Sequence, residues 1–278
     1  MDTSKLTGFT SGQDIFVELS HGPTLIDHNI MLSTHAIRWA AGGVACVHNL
    51  IAGPFTAVGS GTAQVVDGIP IERPAPYHIP HRTELAGFMA VLHGDDRIYN
   101  NIFIQTRPAE EAVAGEDMGF VVIDNKVVGT GVFDEFPGYE EWISRFEMDK
   151  PADMKKLQPQ HFAKLPVWVG GNAYFNGAAA CSKEKDSFVD TEHPVTVRLT
   201  EKNGSYILET NVYKYLEDFK DSIITSDSLG IAFEPEQRFE NPDGSAIVLN
   251  RDYSGVQRDQ TVIPGPFARG VSDEKRVW

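Results

Sequence analysis

The residues whose types and spacing could do chemistry begin with Glu18. In Asp14-Ile15-Phe16-Val17-Glu18-Leu19-Ser20, strand alternation puts Asp14, Phe16, Glu18 and Ser20 on one face and Ile15, Val17 and Leu19 on the other. A carboxylate beside an aromatic ring on an outward face can serve a sugar, or it can be a solvated surface Glu. Tyr77-His78-Ile79-Pro80-His81-Arg82-Thr83-Glu84 comes next. Its H-x2-H-x2-E spacing could hold zinc only if neutral imidazoles converged on one point. Pro80 makes the segment a loop, and no metal or cofactor is assigned. Asp95-Asp96 could offer hard oxygens to calcium, but a solvated turn is the simpler reading. Cys46 and Cys181 are too few for a disulfide framework and lack metal-ligand spacing, so each reads as a small buried hydrophobe.

The elements that must position these residues show as a repeat. Leu25-Ile26-Asp27-His28-Asn29-Ile30-Met31-Leu32 resembles Cys46-Val47-His48-Asn49-Leu50-Ile51-Ala52, and both resemble Ile98-Tyr99-Asn100-Asn101-Ile102-Phe103-Ile104. Val169-Gly170-Gly171-Asn172-Ala173-Tyr174-Phe175 is a weaker copy, and Leu6-Thr7-Gly8-Phe9 a degenerate one. From Gly8 through Asn29, Asn49, Asn101 and Asn172 the steps are 21, 20, 52 and 71 residues. The short steps set a period near 20 residues, and the long ones imply insertions. The fixed Leu positions of a leucine-rich repeat are missing. The pattern therefore predicts a parallel β-helix, with an Asn at one corner of each coil forming a hydrogen-bonded ladder.

Stacked coils give Glu18 a geometric test. A retaining glycosidase needs two carboxyl groups about 5–5.5 Å apart. Asp14, four residues along the same strand, would be about 13 Å away. Strand-to-strand spacing, about 4.8 Å, suits a partner one coil away. One coil downstream lie Arg38 and Trp39, which are not carboxylates. One coil upstream falls before residue 1. Trp39 could stack on a pyranose ring and Arg38 could tune the carboxylate, or both could be ordinary packing. His21 and Asp27 could flank the same place.

Residues 139–148 are expected to open one short helix after Phe136-Pro137-Gly138. Beyond Lys183 the pattern turns to period 2. Val195, Val197 and Leu199 alternate with polar residues, as do Tyr206, Leu208 and Thr210, and Asn203-Gly204 between them is a hairpin signal. An antiparallel β-sandwich over 184–278 is the expectation, following coils with loop insertions over 1–183. With 24 basic and 39 acidic residues the net charge is −15, which disfavours a nucleic-acid partner. No apolar run approaches the length of a membrane span, and no signal peptide is visible, which favours the cytoplasm.

Val17-Glu18-Leu19-Ser20-His21-Gly22-Pro23, with Leu25-Ile26-Asp27-His28-Asn29, resembles glycoside hydrolase family 120. The resemblance continues through Val47-His48-Asn49-Leu50, Tyr77–Gly87 and Asp95–Phe103, and again at Phe239–Ser245 and Pro264-Gly265-Pro266-Phe267. It implies an all-β fold, a right-handed parallel β-helix with a C-terminal β-sandwich domain. It implies a retaining β-xylosidase that releases xylose from xylo-oligosaccharides. Glu18 matches the family's general acid/base, and His21, Arg38, Trp39, His78, His81 and Glu84 fall around the sugar. The family's nucleophilic Asp lies about one coil earlier, and Asp2 does not match its surroundings. The expectation is a C-terminal portion whose nucleophile lies upstream of Met1.

The implied partner is a xylo-oligosaccharide or related small glycoside, with no membrane, and a homo-oligomer is compatible with an exposed sheet end. Competing classes are a non-catalytic carbohydrate-binding module and a polysaccharide lyase. A lyase would want a basic cluster, and a charge of −15 would repel polyuronate.

Overall fold

The computed structural model describes residues 13–56, 64–67, 69–71, 73–108, 127–147, 149–151, 153–155, 163–268 and 274–278. Asp2 and the degenerate copy at residues 6–9 lie outside the described residues.

The first pass of chain makes strands β1 (Gln13–Glu18), β2 (Thr24–Asp27) and β3 (Ile30–Met31). The second makes β4 (His35–Ala40), β5 (Val44–Val47) and β6 (Leu50–Ile51), and the third opens with β7 (Phe55–Thr56). Two hairpins follow, β8 (Gln64–Val66) with β9 (Ile69–Ile71), and β10 (Pro74–His78) with β11 (Leu85–Ala90). The passes resume with β12 (Asp96–Tyr99) and β13 (Ile102–Ile104). Helix α1 (Tyr139–Ser144) intervenes before β14 (Val167–Gly170), β15 (Ala173–Phe175), β16 (Glu184–Lys185) and β17 (Phe188–Asp190). The remainder holds β18 (Val197–Lys202), β19 (Ser205–Thr210), β20 (Asp221–Ser222), helix α2 (Ser226–Leu229), β21 (Ile231–Ala232), β22 (Gln237–Arg238), β23 (Thr261–Val262) and β24 (Glu274–Arg276).

Corresponding strands of successive passes pair in parallel. One sheet is β16-β14-β12-β5-β2, a second is β17-β15-β13-β6-β3, and a third is β1-β4-β7. The four clear repeat copies lie in register, Leu50 facing Ile30 on one side and Ile102 on the other. Parallel pairing continues through β16 and β17 to Asp190.

The corner between the two larger sheets explains the repeated Asn. The residue before each one has a left-handed backbone: His28 at φ 56°, His48 at 56°, Asn100 at 54° and Gly171 at 66°. That turn leaves the next N–H without a strand partner, and the neighbouring Asn supplies one. Asn49 donates its backbone N–H (2.9 Å) and its Nδ2 (2.9 Å) to Asn101 Oδ1. Asn101 does the same to Asn172 Oδ1, at 2.9 and 3.0 Å, and Asn29 to Asn49 Oδ1, at 2.8 and 3.0 Å. The second Nδ2 hydrogen reaches a carbonyl of the preceding pass: Asn49 to Ile26, Asn101 to Cys46 and Asn172 to Ile98. The ladder ends on Glu184, whose Oε1 accepts from Asn172 Nδ2 at 3.0 Å. Tyr174 donates its hydroxyl to Glu184 Oε2.

Inside the three sheets, Trp39 packs against Phe55 (5.5 Å) and Phe133 (5.3 Å), and Phe103 stacks on Tyr174 (5.2 Å). The outer faces of the larger sheets are apolar too. Ala45, Val47 and Tyr99 meet Ile224, Leu229, Ala232, Phe239 and Ile247. Leu50, Ile102, Ile104, Ala173 and Phe175 meet Val195, Leu208, Val212, Ile263 and Phe267.

The fold-class expectation, an all-β right-handed parallel β-helix with a C-terminal β-sandwich, is corrected here. Strands dominate, but short helices are present, and among the described residues parallel and antiparallel sheets coexist without a closed barrel. The hairpin signal at Asn203-Gly204 is real: β18 and β19 are antiparallel, with φ 54° and 75° at the turn. Their sheet adds only β24, and β20–β23 form two-stranded ribbons. These pieces are spent covering the outer faces of the parallel sheets, so among the described residues no second sheet is left to close a sandwich.

The ladder predicts a graded stability series. Asn101→Ala strands the buried N–H of Asn49 and should cost about 3 kcal/mol in urea denaturation, whereas Asn29→Ala, at the half-buried end, should cost about 1 kcal/mol. Equal losses at the two positions would refute a ladder whose interior rungs matter most.

Candidate functional site

Glu18 ends β1, whose burial alternates as expected: Asp14, Phe16 and Glu18 exposed, and Ile15 and Val17 packed on the core. Parallel pairing with β4 sets Glu18 opposite Ala40. Arg73, just before β10, donates Nη1 to Glu18 Oε1 at 3.1 Å. After Leu19, which has φ 47°, the chain turns a tight corner into β2. A Cβ on Gly22 would fall 2.1 Å from the Gly43 carbonyl oxygen, and one on Gly43 would fall 2.3 Å from that of His21. Only glycines let the two passes close here, and this closeness drives the His21 ring inward beneath the β10–β11 hairpin.

His21 is buried. Its Nε2 faces the Ala75 carbonyl at 3.0 Å and its Nδ1 faces Glu234 Oε2 at 2.8 Å. A carbonyl only accepts, so Nε2 carries a proton. With the Glu234 carboxylate at Nδ1, the ring is an imidazolium with both donors used. Desolvation works against the charge, but the hydrogen bond and attraction from Glu234 outweigh it and raise the His21 pKa above its ordinary value. Tyr77 meets the ring edge-on at 5.9 Å.

A cleft of about 360 Å³ lies here, lined by Ser20, His21, Tyr77, His78 and His81, and on the far wall by Gln237, Arg238 and Glu240. His78 Nδ1 donates to the Thr83 carbonyl (3.0 Å), and His81 Nε2 meets Glu240 Oε1 (3.2 Å). The Gln237 amide donates to the His78 carbonyl. The hairpin is thus tied to the C-terminal segment on both sides of the cleft.

The structure gathers His21, His78 and His81 at one cleft, with Glu18 two residues before its Ser20 rim. It does not bring Arg38, Trp39 or Glu84 to the lining. Trp39 is wholly buried in the interior core, so its ring has no face for a sugar. Arg38 is buried with its guanidinium 5.2 Å from the Phe16 ring. Glu84 is exposed near the hairpin tip, where its carbonyl accepts from Ile79 N–H. Asp27 pairs with His28 at 2.7 Å.

Asp95 and Asp96 are not a solvated turn but buried: Arg97 pairs with Asp95 at 2.6 Å, and Asp96 accepts from Val44 N–H at 3.0 Å. Sequence reasoning missed Glu234, Glu240, Gln237 and Arg73. Their partners lie 213, 159, 159 and 55 residues away, and no local pattern marks them.

Among solved structures, the chain matches XylC, a protein determined in complex with xylose. The TM-score is 0.76 and the identity 31%, over 96% of this chain and 38% of that one. The chain therefore spans well under half the length of XylC. No protein-family profile and no curated protein sequence matches it.

The His21–Glu234 pair predicts a pH signature. A raised pKa means the pair's full contribution to stability is present below about pH 6.5, the unfolded value, and is lost as pH rises through the raised folded value. Histidine NMR titration should show His21 titrating above an ordinary imidazole, and Glu234→Gln should bring it down. An unchanged His21 midpoint in that variant would break the assignment.

Proposed function

We propose that the chain carries the general acid/base part of a retaining glycosidase that releases xylose from xylo-oligosaccharides. The observation that carries this reading is the match to XylC across 96% of the chain at 31% identity, with xylose as the XylC ligand. Glu18 supports it by position, an exposed carboxylate at the strand end two residues before Ser20 on the rim of a cleft of about 360 Å³. The resemblance of Val17–Pro23 to glycoside hydrolase family 120 points to the same residue.

Glu18, protonated, gives its proton to the glycosidic oxygen as the bond to the anomeric carbon breaks. A carboxylate on the opposite face of the sugar forms the glycosyl–enzyme bond. Glu18 then takes a proton from water, which attacks the anomeric carbon and releases xylose with retained configuration. The two carboxyls must be about 5–5.5 Å apart, close to the spacing of paired strands. On its paired side Glu18 faces Ala40. The other edge of β1 has no strand among the described residues. We assign the nucleophile to polypeptide pairing with that edge. Arg73 then holds Glu18 from the side, His78 and His81 meet the sugar hydroxyls, and His21, with both N–H groups spent on Ala75 and Glu234, fixes the wall beneath them.

The test uses two leaving groups. In a polypeptide that includes the upstream pass, Glu18→Gln should lower xylobiose turnover by about 10²–10⁴-fold, the usual worth of a general acid. Release of p-nitrophenol from p-nitrophenyl β-xyloside, which needs little protonation, should fall far less in its first turnover. Equal activity of variant and parent on xylobiose would remove Glu18 from the mechanism. Binding of xylobiose without turnover by the extended polypeptide would make this a carbohydrate-binding module.

A further inference from the structure

A second cleft, of about 340 Å³, shares no lining residue with the first. Its walls are Tyr99 on β12, Trp168 on β14, Tyr139 and Trp142 on α1, and Phe233 after β21. We propose that it is a non-catalytic site for a neutral pyranose chain of the xylan type.

The aromatic rings are arranged as platforms. Tyr139 and Trp168 lie near-parallel, 29° apart at 6.3 Å, and Trp142 meets Phe233 edge-on at 5.4 Å. Tyr139 is 46% and Phe233 50% exposed. Large rings left open beside one concavity are the features expected of a ligand site rather than of scattered surface apolar residues. The negative face of an aromatic ring attracts the partly positive C–H edge of a pyranose, and a ring costs little conformational entropy to hold in place.

The polar groups on the floor decide the ligand's charge. Arg97 gives Nε to the Leu229 carbonyl (2.8 Å) and Nη2 to that of Ile231 (2.8 Å), and Nη1 to Asp95. Its guanidinium is also held between Trp168 at 4.7 Å and Phe239 at 5.1 Å. Asp95 Oδ2 accepts from Phe233 N–H. The one cation and the one carboxylate of the lining are thus spent on each other and on backbone. They leave no free charge for a phosphate, a uronate or a cationic ligand. A hydroxylated, uncharged ring fits what remains.

The proposal shares with the glycosidase reading only the class of ligand. Tryptophan emission of Glu18→Gln protein, titrated with xylotetraose, should be quenched to saturation, because Trp142 and Trp168 stand in the cleft. Tyr139→Ala, at an exposed position whose loss leaves the core intact, should weaken that titration about tenfold, the worth of one aromatic contact. Phe233→Ala should act similarly. The proposal falls if both variants titrate like the parent, if xylotetraose gives no quenching, or if guaiacol quenches and xylotetraose does not, which would make this a site for planar aromatics. Quenching, with no xyloside hydrolysis by the extended polypeptide that keeps Glu18, would keep this site and remove the glycosidase reading. Hydrolysis without quenching would do the reverse.

Discussion

The hydrogen bonds of Asn29, Asn49, Asn101 and Asn172 are the constraint on which the rest of the structure depends. A parallel pass must turn sharply between its second and third strands, and the turn takes one left-handed residue. That residue removes the following N–H from any sheet. Buried and unpaired, such a group costs about 1–3 kcal/mol. Each Asn instead passes both its backbone and side-chain donors to the next Oδ1, and Glu184 accepts the last set. The ladder also fixes register. A slip of one residue in an interior pass would break two rungs at once and turn the interior rings outward. The facing of Glu18 and Ala40 follows from that fixed stacking, as does the close approach of Gly22 and Gly43 that turns His21 inward.

Stacking creates a second demand. Strands such as Val44–Val47 and Ile102–Ile104 are apolar on both faces, as parallel strands with both faces covered usually are. One face meets the aromatic interior. The other must be covered, and the segment after Asp190 covers it with short ribbons, turns and a one-turn helix. Function follows from this cover. The stretch that buries Ala232 and Phe239 against Ala45 and Val47 carries Gln237 and Glu240 to the first cleft and Glu234 to His21 behind it. It also carries Phe233 to the second. Neighbouring residues Phe233 and Glu234 thus serve different places, Phe233 lining the second cleft and Glu234 holding His21 from within.

The repeat was legible because its physics is local. A left-handed corner, an Asn and a short apolar strand recur as words, and Asn203-Gly204 announces its hairpin in the same way. The alternating strands around that hairpin point to a sandwich, whereas the unbroken apolar runs in the repeats require a covering layer instead. Trp39 shows the same limit. Its neighbours in sequence allow either a sugar platform or a core ring, and only the rings of Phe55 and Phe133, from later passes, decide for the core. Asp95-Asp96 reads as a polar turn until Arg97, Val44 and Phe233 are placed around it. Partners more than 100 residues apart leave no trace in a single sequence.

The electrostatics of the two clefts bear on what they can admit. The chain as a whole carries −15, so a polyanion would be repelled at long range. Near the first cleft the charged groups are paired: His21 with Glu234, His81 with Glu240, and Arg238 with Asp227. What stays available is hydrogen-bonding capacity without net charge. His78 is an example: with Nδ1–H given to a carbonyl, its Nε2 is left for a hydroxyl. The second cleft reaches the same state by spending Arg97 and Asp95 on each other. Two sites built from distant parts of the chain, both neutralised internally and both faced with rings, would on the proposed reading select for an uncharged polyhydroxylated ligand. That shared selection weighs against the lyase alternative, whose uronate substrate would need an unpaired basic group in at least one of the two clefts.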